Sequence, residues 1–360
     1  MRTVSALLAL LLIPGVPLRG EPADSSATGG VGWFAYPYVF YTPETDLAFG
    51  AGAVLSTKFS DESGARPSSL TFYGFYSINA QFDLTVVPEA YLDHDRLLVS
   101  GKVSGGKVID RMYGLGPTTP DIADALYDAD YFSIGVRVVA SVQEAVKVGA
   151  VFEMKSLTVR DTRGNPFLDD PALTGSSGGV HIGVGASAEF DSRDNIMYPS
   201  QGVYAFATAH VFTPPLGSDF TFQRYTFDVR AFTEPFAGSI VALNLYAMLI
   251  GGTPPFYEYA LLGGERVMRG YYLGRYRDRV HIALQAEYRK RIWWRFGGVV
   301  FAGAGDVAPS LRDFQARYIK PTYGAGLRFL FDEEEKMDLR MDVGFGRGSS
   351  GVYFSVYQAF

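Results

Sequence analysis

From about Gly32 to the end of the chain, polar and apolar residues alternate with a period of two, as in strands that show one face to each of two environments. The clearest stretch interleaves Arg224, Thr226, Asp228 and Arg230 with Tyr225, Phe227, Val229 and Ala231. His281, Ala283, Gln285, Glu287 and Arg289 alternate with Ile282, Leu284, Ala286 and Tyr288, and Asp338, Arg340 and Asp342 with Leu339, Met341 and Val343. Alternation alone fits both a soluble sandwich and a membrane barrel, since each has one polar and one apolar face. Segment length separates them: about sixteen segments of roughly ten residues suit a tilted crossing of a bilayer, whereas sandwich strands usually run to about half that.

The connections have a rhythm of their own. Short links near Asp93-His94-Asp95, Gln143-Glu144, Glu234-Pro235 and 332–336 alternate with long ones at 105–129, 158–177, 251–278 and 306–319. Short periplasmic turns and long outer loops produce this pattern. The chain therefore reads as all-β: a transmembrane antiparallel β-barrel of about 16 strands, with Phe360 returning to the periplasmic side.

The loop between strands 11 and 12 holds Gly263-Gly264-Glu265-Arg266-Val267-Met268-Arg269-Gly270-Tyr271. An arginine beside glycine and an aromatic has no place in an apolar core without a partner. A barrel lumen supplies one. The expected arrangement inserts this loop into the lumen and pairs Arg269 with Glu287, while Gly270 permits close backbone approach and Tyr271 packs alongside.

Composition narrows the picture. Arg2, an apolar run from Val4 to Ile13 and then Pro14-Gly15-Val16-Pro17 read as a signal peptide over residues 1–20, too short to span as a helix, with a linker over 21–31 and the barrel over 32–360. With no cysteine there is neither a disulfide framework nor a thiolate site. A chain that is 48% hydrophobic and 15% aromatic, with 41 glycines and no second long apolar run, excludes a helical membrane protein but suits a barrel. A net charge of −6 argues against a nucleic-acid partner.

Other candidate chemistry is thin. Gly175-Ser176-Ser177-Gly178-Gly179 has nucleophile-elbow spacing but lacks the strand-to-helix context. His94, His181, His210 and His281 are scattered, Asp169-Asp170 and Glu333-Glu334-Glu335 read as solvated loop acids, and Thr119-Pro120-Asp121 reads as a cap for a helical turn running to Leu126. No catalytic residue, metal or cofactor is assigned, and the chain is read as a non-enzyme.

These residues resemble the bacterial surface antigen superfamily, that is, BamA/TamA-like outer-membrane assembly factors and two-partner-secretion transporters. The resemblance rests on Val267-Met268-Arg269-Gly270-Tyr271, on Leu284-Gln285-Ala286-Glu287-Tyr288-Arg289, on a mid-barrel turn with Asp191, Arg193 and Asp194 followed by Pro199 and Gly202, and on Tyr323-Gly324-Ala325-Gly326-Leu327-Arg328. The final segment, with Phe354, Val356 and Phe360, is similar to the C-terminal signal of outer-membrane barrels, and Tyr41-Thr42-Pro43-Glu44-Thr45 to the subgroup lacking POTRA domains. Two departures stand out: the chain leaves no space for a POTRA module, and Gly303 occupies a position where the family's strand usually has an aspartate, so Arg269 is expected to lose one of two carboxylates, with Asp306, Asp338 and Asp342 as fallback partners.

The resemblance implies a bacterial outer-membrane protein in contact with lipid. It would aid insertion or translocation of client proteins or lipids, with any periplasmic partner supplied in trans. The mechanism it suggests is lateral opening of a seam between the first and last strands, where Gly50, Gly52, Gly344, Gly346, Gly348 and Gly351 would weaken pairing, although ordinary turn use explains these glycines equally well. The alternative is a passive channel or structural surface barrel without export activity.

Overall fold

The computed structural model describes residues 18–19, 31–57, 66–121, 125–332 and 337–360. The signal-peptide and linker segments lie outside these, apart from Leu18–Arg19 and Val31. So do Glu333-Glu334-Glu335 and residues 122–124 at the centre of the expected helical turn.

Sixteen antiparallel strands close a barrel. They are β1 Val31–Thr42, β2 Asp46–Thr57, β3 Ser68–Ser77, β4 Phe82–Leu92, β5 Leu97–Arg111, β6 Leu126–Gln143, β7 Val146–Asp161, β8 Gly178–Asp191, β9 Gly202–Phe212, β10 Thr221–Phe236, β11 Ser239–Thr253, β12 Val280–Trp293, β13 Phe296–Ala308, β14 Lys320–Asp332, β15 Met337–Gly346 and β16 Ser349–Val356. Among the described residues no helix is long and apolar enough to cross a membrane. The arginine loop, residues 254–279, joins β11 to β12 as the alternation predicts.

The expected inside-out distribution holds. On β12, His281, Gln285, Glu287 and Arg289 are buried while Leu284 and Tyr288 on the other face are exposed. On β10, Tyr225, Phe227 and Val229 are exposed. Polar residues buried behind exposed apolar ones fit a wall with lipid outside, where every strand edge must find a partner.

The strands depart from uniform length. β6 has 18 residues and β7 has 16, against 10 in β3 and 8 in β16. Pairing on the long side continues outward to Arg111↔Leu126, so the link expected at 105–129 shrinks to 112–125. The turn placed at Glu234-Pro235 lies instead at Ala237-Gly238, because a register shift between Thr233 and Phe236 carries β10 further.

The seam is the exception to the ladder. β16 and β1 share one register pair, Phe354↔Tyr41, whereas every other pair of neighbours shares eight or more. Ahead of the barrel, Leu18–Arg19 runs antiparallel beside Phe34–Ala35 on the seam-side edge of β1.

The glycines near the seam answer to ring packing and to turn use, the second of the two readings. β1 pairs with β2 along its whole length. Phe34, Tyr36, Tyr38 and Phe40 form a ladder of rings on one face of β1, and the Tyr38 and Tyr36 rings lie where a Cβ on Gly50 or Gly52 would sit. Gly351 lies likewise against Tyr353, and Gly348, at φ +67°, forms the β15–β16 turn. These glycines make room for rings and a turn rather than loosening the ladder.

Candidate functional site

The loop from 254 to 279 folds into the barrel. Its own scaffold is a 3-10 turn, Phe256–Glu258, and a two-stranded ribbon pairing Ala260–Leu262 with Tyr276–Asp278. Leu262, Met268 and Tyr271 pack on Ala283 and Val307 of the wall, so apolar contact positions the polar groups.

Arg269 is 1% exposed. One guanidinium nitrogen donates to Glu287 on β12 and another to Asp342 on β15. Its carbon lies 3.6 Å from the centre of the Phe301 ring on β13, a cation–π contact that is worth most where water is excluded. Burial alone would favour the neutral form, but the Glu287 and Asp342 charges outweigh it and hold Arg269 more firmly protonated than usual. The expected pairing with Glu287 is present.

The expected loss of the second carboxylate is not. Asp342 takes that place from a different strand. A Cβ on Gly303 would come within 2.8 Å of Leu284 O and 3.1 Å of Thr322 Cγ2, so this wall position is already filled by its neighbours, and Thr322 donates to the Arg269 carbonyl instead.

Backbone contact completes the grip. Gly270 has φ +103°, and a Cβ there would meet Phe345 backbone atoms at 2.6 Å; a Cβ on Gly344 would meet Arg269 C at 2.8 Å. Chain lies directly on chain, which only glycine permits. Gly270 N donates to Tyr353 Oη at 2.9 Å and Ser349 Oγ donates to Gly270 O at 2.7 Å, both on β16. Tyr271 stands on Gly346, donates to Pro321 O at 2.8 Å and accepts from Arg347 N at 2.7 Å. Met268 N donates to Gln285 Oε1 at 2.9 Å, and Val267 packs at the edge of the same cluster.

The C-terminal segment joins this network in an unexpected way. Phe354 and Val356 lie on β16, paired with Met341 and Leu339. Strand parity would send Phe360 to the lipid face with them. Tyr357, at φ +67°, breaks the alternation, and Phe360 instead packs on Phe232 and Ala242. Arg289 Nη2 donates to Phe360 O at 2.8 Å while its Nε donates to Glu287 Oε2 at 2.8 Å. Arg269, Glu287, Arg289 and Phe360 thus form one chain of contacts.

The mid-barrel turn stays apart from it. Arg193 forks onto Asp191 with bonds of 2.9 and 2.8 Å and lies over the Tyr204 ring, while Asp194 accepts from Ser200 N at 2.9 Å and Gln201 N at 3.1 Å. These residues fix the 192–201 link on the short-turn side.

A second ionic cluster was not foreseen. Glu258, from the 3-10 turn of the loop, accepts from Lys155 Nζ on β7 at 3.0 Å and from Arg224 Nη1 on β10 at 2.5 Å. Arg224 also binds Glu153, and His181 Nε2 lies 3.4 Å from Glu153 and 3.7 Å from Glu258. Burial alone would raise the Glu258 carboxyl, but Lys155, Arg224 and His181 outweigh it and hold it below its ordinary value. Arg224 was visible in the alternation; Glu258, inside an irregular loop, carried no periodic signal. Glu153, His181 and Glu258 place ligand atoms within 4.8 Å of one another. Lys155 and Arg224 already balance both carboxylates, so a dication would add charge to a neutral cluster.

Above this cluster the outer links pack together. Met112, Tyr127, Leu157, Leu168 and Phe256 form an apolar cluster, and Asn165 donates to Met112 O at 3.1 Å and Ala125 O at 2.6 Å. Arg275 donates to Thr119 Oγ1 at 2.9 Å, and Arg277 to Arg111 O at 2.6 Å.

A family model described as the Omp85 superfamily domain matches residues 49–345. Among solved structures, BamA from Haemophilus ducreyi lacking POTRA domains 1-3 is similar at a TM-score of 0.64 and 13% identity, over 92% of this chain and 70% of that one. CdiB from Acinetobacter baumannii (TM-score 0.58, 10% identity) and CdiB from Escherichia coli (0.57, 12%) each match over 91% of this chain and over 59% and 62% of theirs. At these identities the structural likeness is one of fold. No curated protein matches the sequence.

Proposed function

We propose, from the premise that this chain belongs to the Omp85 superfamily and sits in the outer membrane, that it aids insertion or translocation of protein or lipid there by opening between β16 and β1. One observation carries the reading: strands that elsewhere share eight or more paired residues share a single pair at the seam. An unpaired edge in lipid is costly, and the same edge is a template for an incoming strand.

The folded-in loop supports assembly over the passive channel. Its arginine segment binds β12, β14, β15 and β16, which suits a part that preserves the barrel's shape while one edge moves.

The test uses the absence of native cysteine. Tyr41→Cys with Phe354→Cys places thiols at the one paired position, within the usual reach of a disulfide. Folding of a small client barrel into liposomes holding this double variant is expected to be accelerated when the pair is reduced and to fall to the rate of empty liposomes when it is oxidised. Equal rates in both states would rule out seam opening. A reduced protein that gives no acceleration, alongside steady ion conductance, would favour the channel.

A further inference from the structure

The Tyr41-Thr42-Pro43-Glu44-Thr45 stretch lies at the outer tip of the first hairpin, where the Glu44 carboxylate accepts from the Thr42 hydroxyl and from its own backbone N–H. Thr45 N donates to Thr42 Oγ1 at 3.2 Å and the two threonine hydroxyls lie 2.9 Å apart, so the side chains on either side already close the turn. The Glu44 carboxylate also reaches beyond the turn. Its Oε1 accepts from Leu273 N at 2.7 Å, across 229 positions of sequence.

Leu273 follows directly on the segment that grips the last strand. Gly270 N is held by Tyr353 Oη and Gly270 O by Ser349 Oγ, both on β16. One stretch of loop, Gly270 to Leu273, is therefore fastened to the last strand at one end and to the first hairpin at the other. Between these fastenings, Tyr272 donates to Asp110 Oδ1 of β5 at 3.2 Å, which holds the stretch against the wall.

The hairpin tip is itself braced. Glu44 O accepts from Gln81 Nε2 at 2.9 Å, and Gln81 Oε1 accepts from Ile109 N on β5 at 3.2 Å. A pull on Glu44 is thus passed to β4 and β5 rather than absorbed by a loose turn. Burial pushes the Glu44 carboxyl above its ordinary value, although the Leu273 N–H opposes this. Keeping a carboxylate where solvation is poor fits a residue retained for its partner.

We propose that Glu44 staples the seam: through its bond to Leu273 it makes the lumenal loop the bridge that holds the first hairpin to the last strand. The seam strands contribute one residue pair of their own. The loop does the rest from inside, at the outer end. Releasing Glu44 frees the first hairpin from the loop while leaving Arg269 seated between Glu287 and Asp342. This inference rests on the seam-opening reading above and assigns the residue that controls it.

The experiment compares Glu44→Ala and Glu44→Gln with the parent chain, full length in lipid nanodiscs, by hydrogen exchange over 31–42 and 349–356. Loss of a hydrogen bond to a charged group corresponds to about a tenfold rise in local opening. E44A is expected to show that rise in both segments and none over 146–161 or 178–191. E44Q, whose amide oxygen still accepts from Leu273, is expected to remain near the parent. Unchanged exchange in E44A, a rise spread evenly around the barrel, or an E44Q as loose as E44A would each overturn the staple. Client folding followed in parallel separates the two proposals. A seam loosened in E44A without any effect of the Tyr41→Cys/Phe354→Cys lock on client folding keeps the staple and removes the assembly reading; an E44A seam as protected as the parent, in a protein that the lock still silences, does the reverse.

Discussion

The lumenal loop enters two ionic sockets of opposite sign. At one, a cation of the loop, Arg269, meets the acids Glu287 and Asp342 on β12 and β15. At the other, an anion of the loop, Glu258, meets Lys155 and Arg224 on β7 and β10. In both, a charge taken out of water is tolerated because opposite charges and directed hydrogen bonds replace the lost solvent.

Their surroundings differ. The arginine socket is also shaped by backbone: Gly270 lies on Gly344 and Phe345, Tyr271 lies on Gly346, and its hydrogen bonds extend to β16 beside the seam. The glutamate socket depends on long, adaptable cations and on the stacking of His181 against Tyr257, and its chain-on-chain contact is with a link rather than the wall: Phe256 N donates to Thr174 O at 2.9 Å and Pro255 lies over Gly175. Two anchors on one loop therefore have different tolerances. The first fixes geometry at the part of the wall that would move, and the second ties the loop to a part that has continuous pairing on both sides.

The comparison can be broken most directly at Arg269. Arg269→Ala leaves Glu287 and Asp342 buried and short of a partner, at a cost of about 3–5 kcal/mol. The expected result is a marked fall in the temperature at which the folded form converts to the unfolded one on semi-native gels. Conversion within a degree or so of the parent would show that the socket is solvated and that its geometry carries little energy.

Glu258→Gln should do less. Arg224 keeps Glu153 as a partner, so the loss is limited to the charged bonds with Lys155 and Arg224, about 1–3 kcal/mol. Protection from hydrogen exchange over 256–262 is expected to fall while 267–273 holds. If both stretches loosen together, the two sockets are one unit and the contrast drawn between them is wrong.

Acidification should give the smallest effect and the sharpest discrimination. Glu258 is held below its ordinary 4.5, so the stability it contributes is present at higher pH and is lost only as pH falls through that lower value. Glu44 is raised above 4.5, so the folded state binds its proton more readily than the unfolded one and gains slightly as pH falls from 7 towards 4.5. Thermal conversion measured at stepped pH should therefore show no loss from the Glu258 anchor until below about 4.5. An Glu258-dependent loss between pH 7 and 5, absent from Glu258→Gln, would contradict the assigned environment.

Much of this was legible in the chain. Alternation at 224–231 and 281–289 gave the wall its two faces, segment length gave a bilayer crossing, and the Arg269-Gly270-Tyr271 loop followed by Glu287 gave half of the arginine socket. The rest depends on closure. Asp306, Asp338 and Asp342 all read as fallback partners for Arg269, and only the barrel's curvature selects Asp342, 73 positions along. Phe360 obeys strand parity in the sequence, yet the left-handed Tyr357 and the Arg289 fork turn it inward.

What the sequence determined by itself is the local: which residues face which solvent, how long each crossing is, and where the chain must turn, because these follow from side-chain alternation and backbone preference within a few residues. What only the tertiary structure decided is which distant groups share a buried space. Glu44 with Leu273, Glu258 with Lys155, and Asp342 with Arg269 are pairings that exist because a closed sheet brings its strands around one lumen. There, buried charges must find each other whatever their distance along the chain.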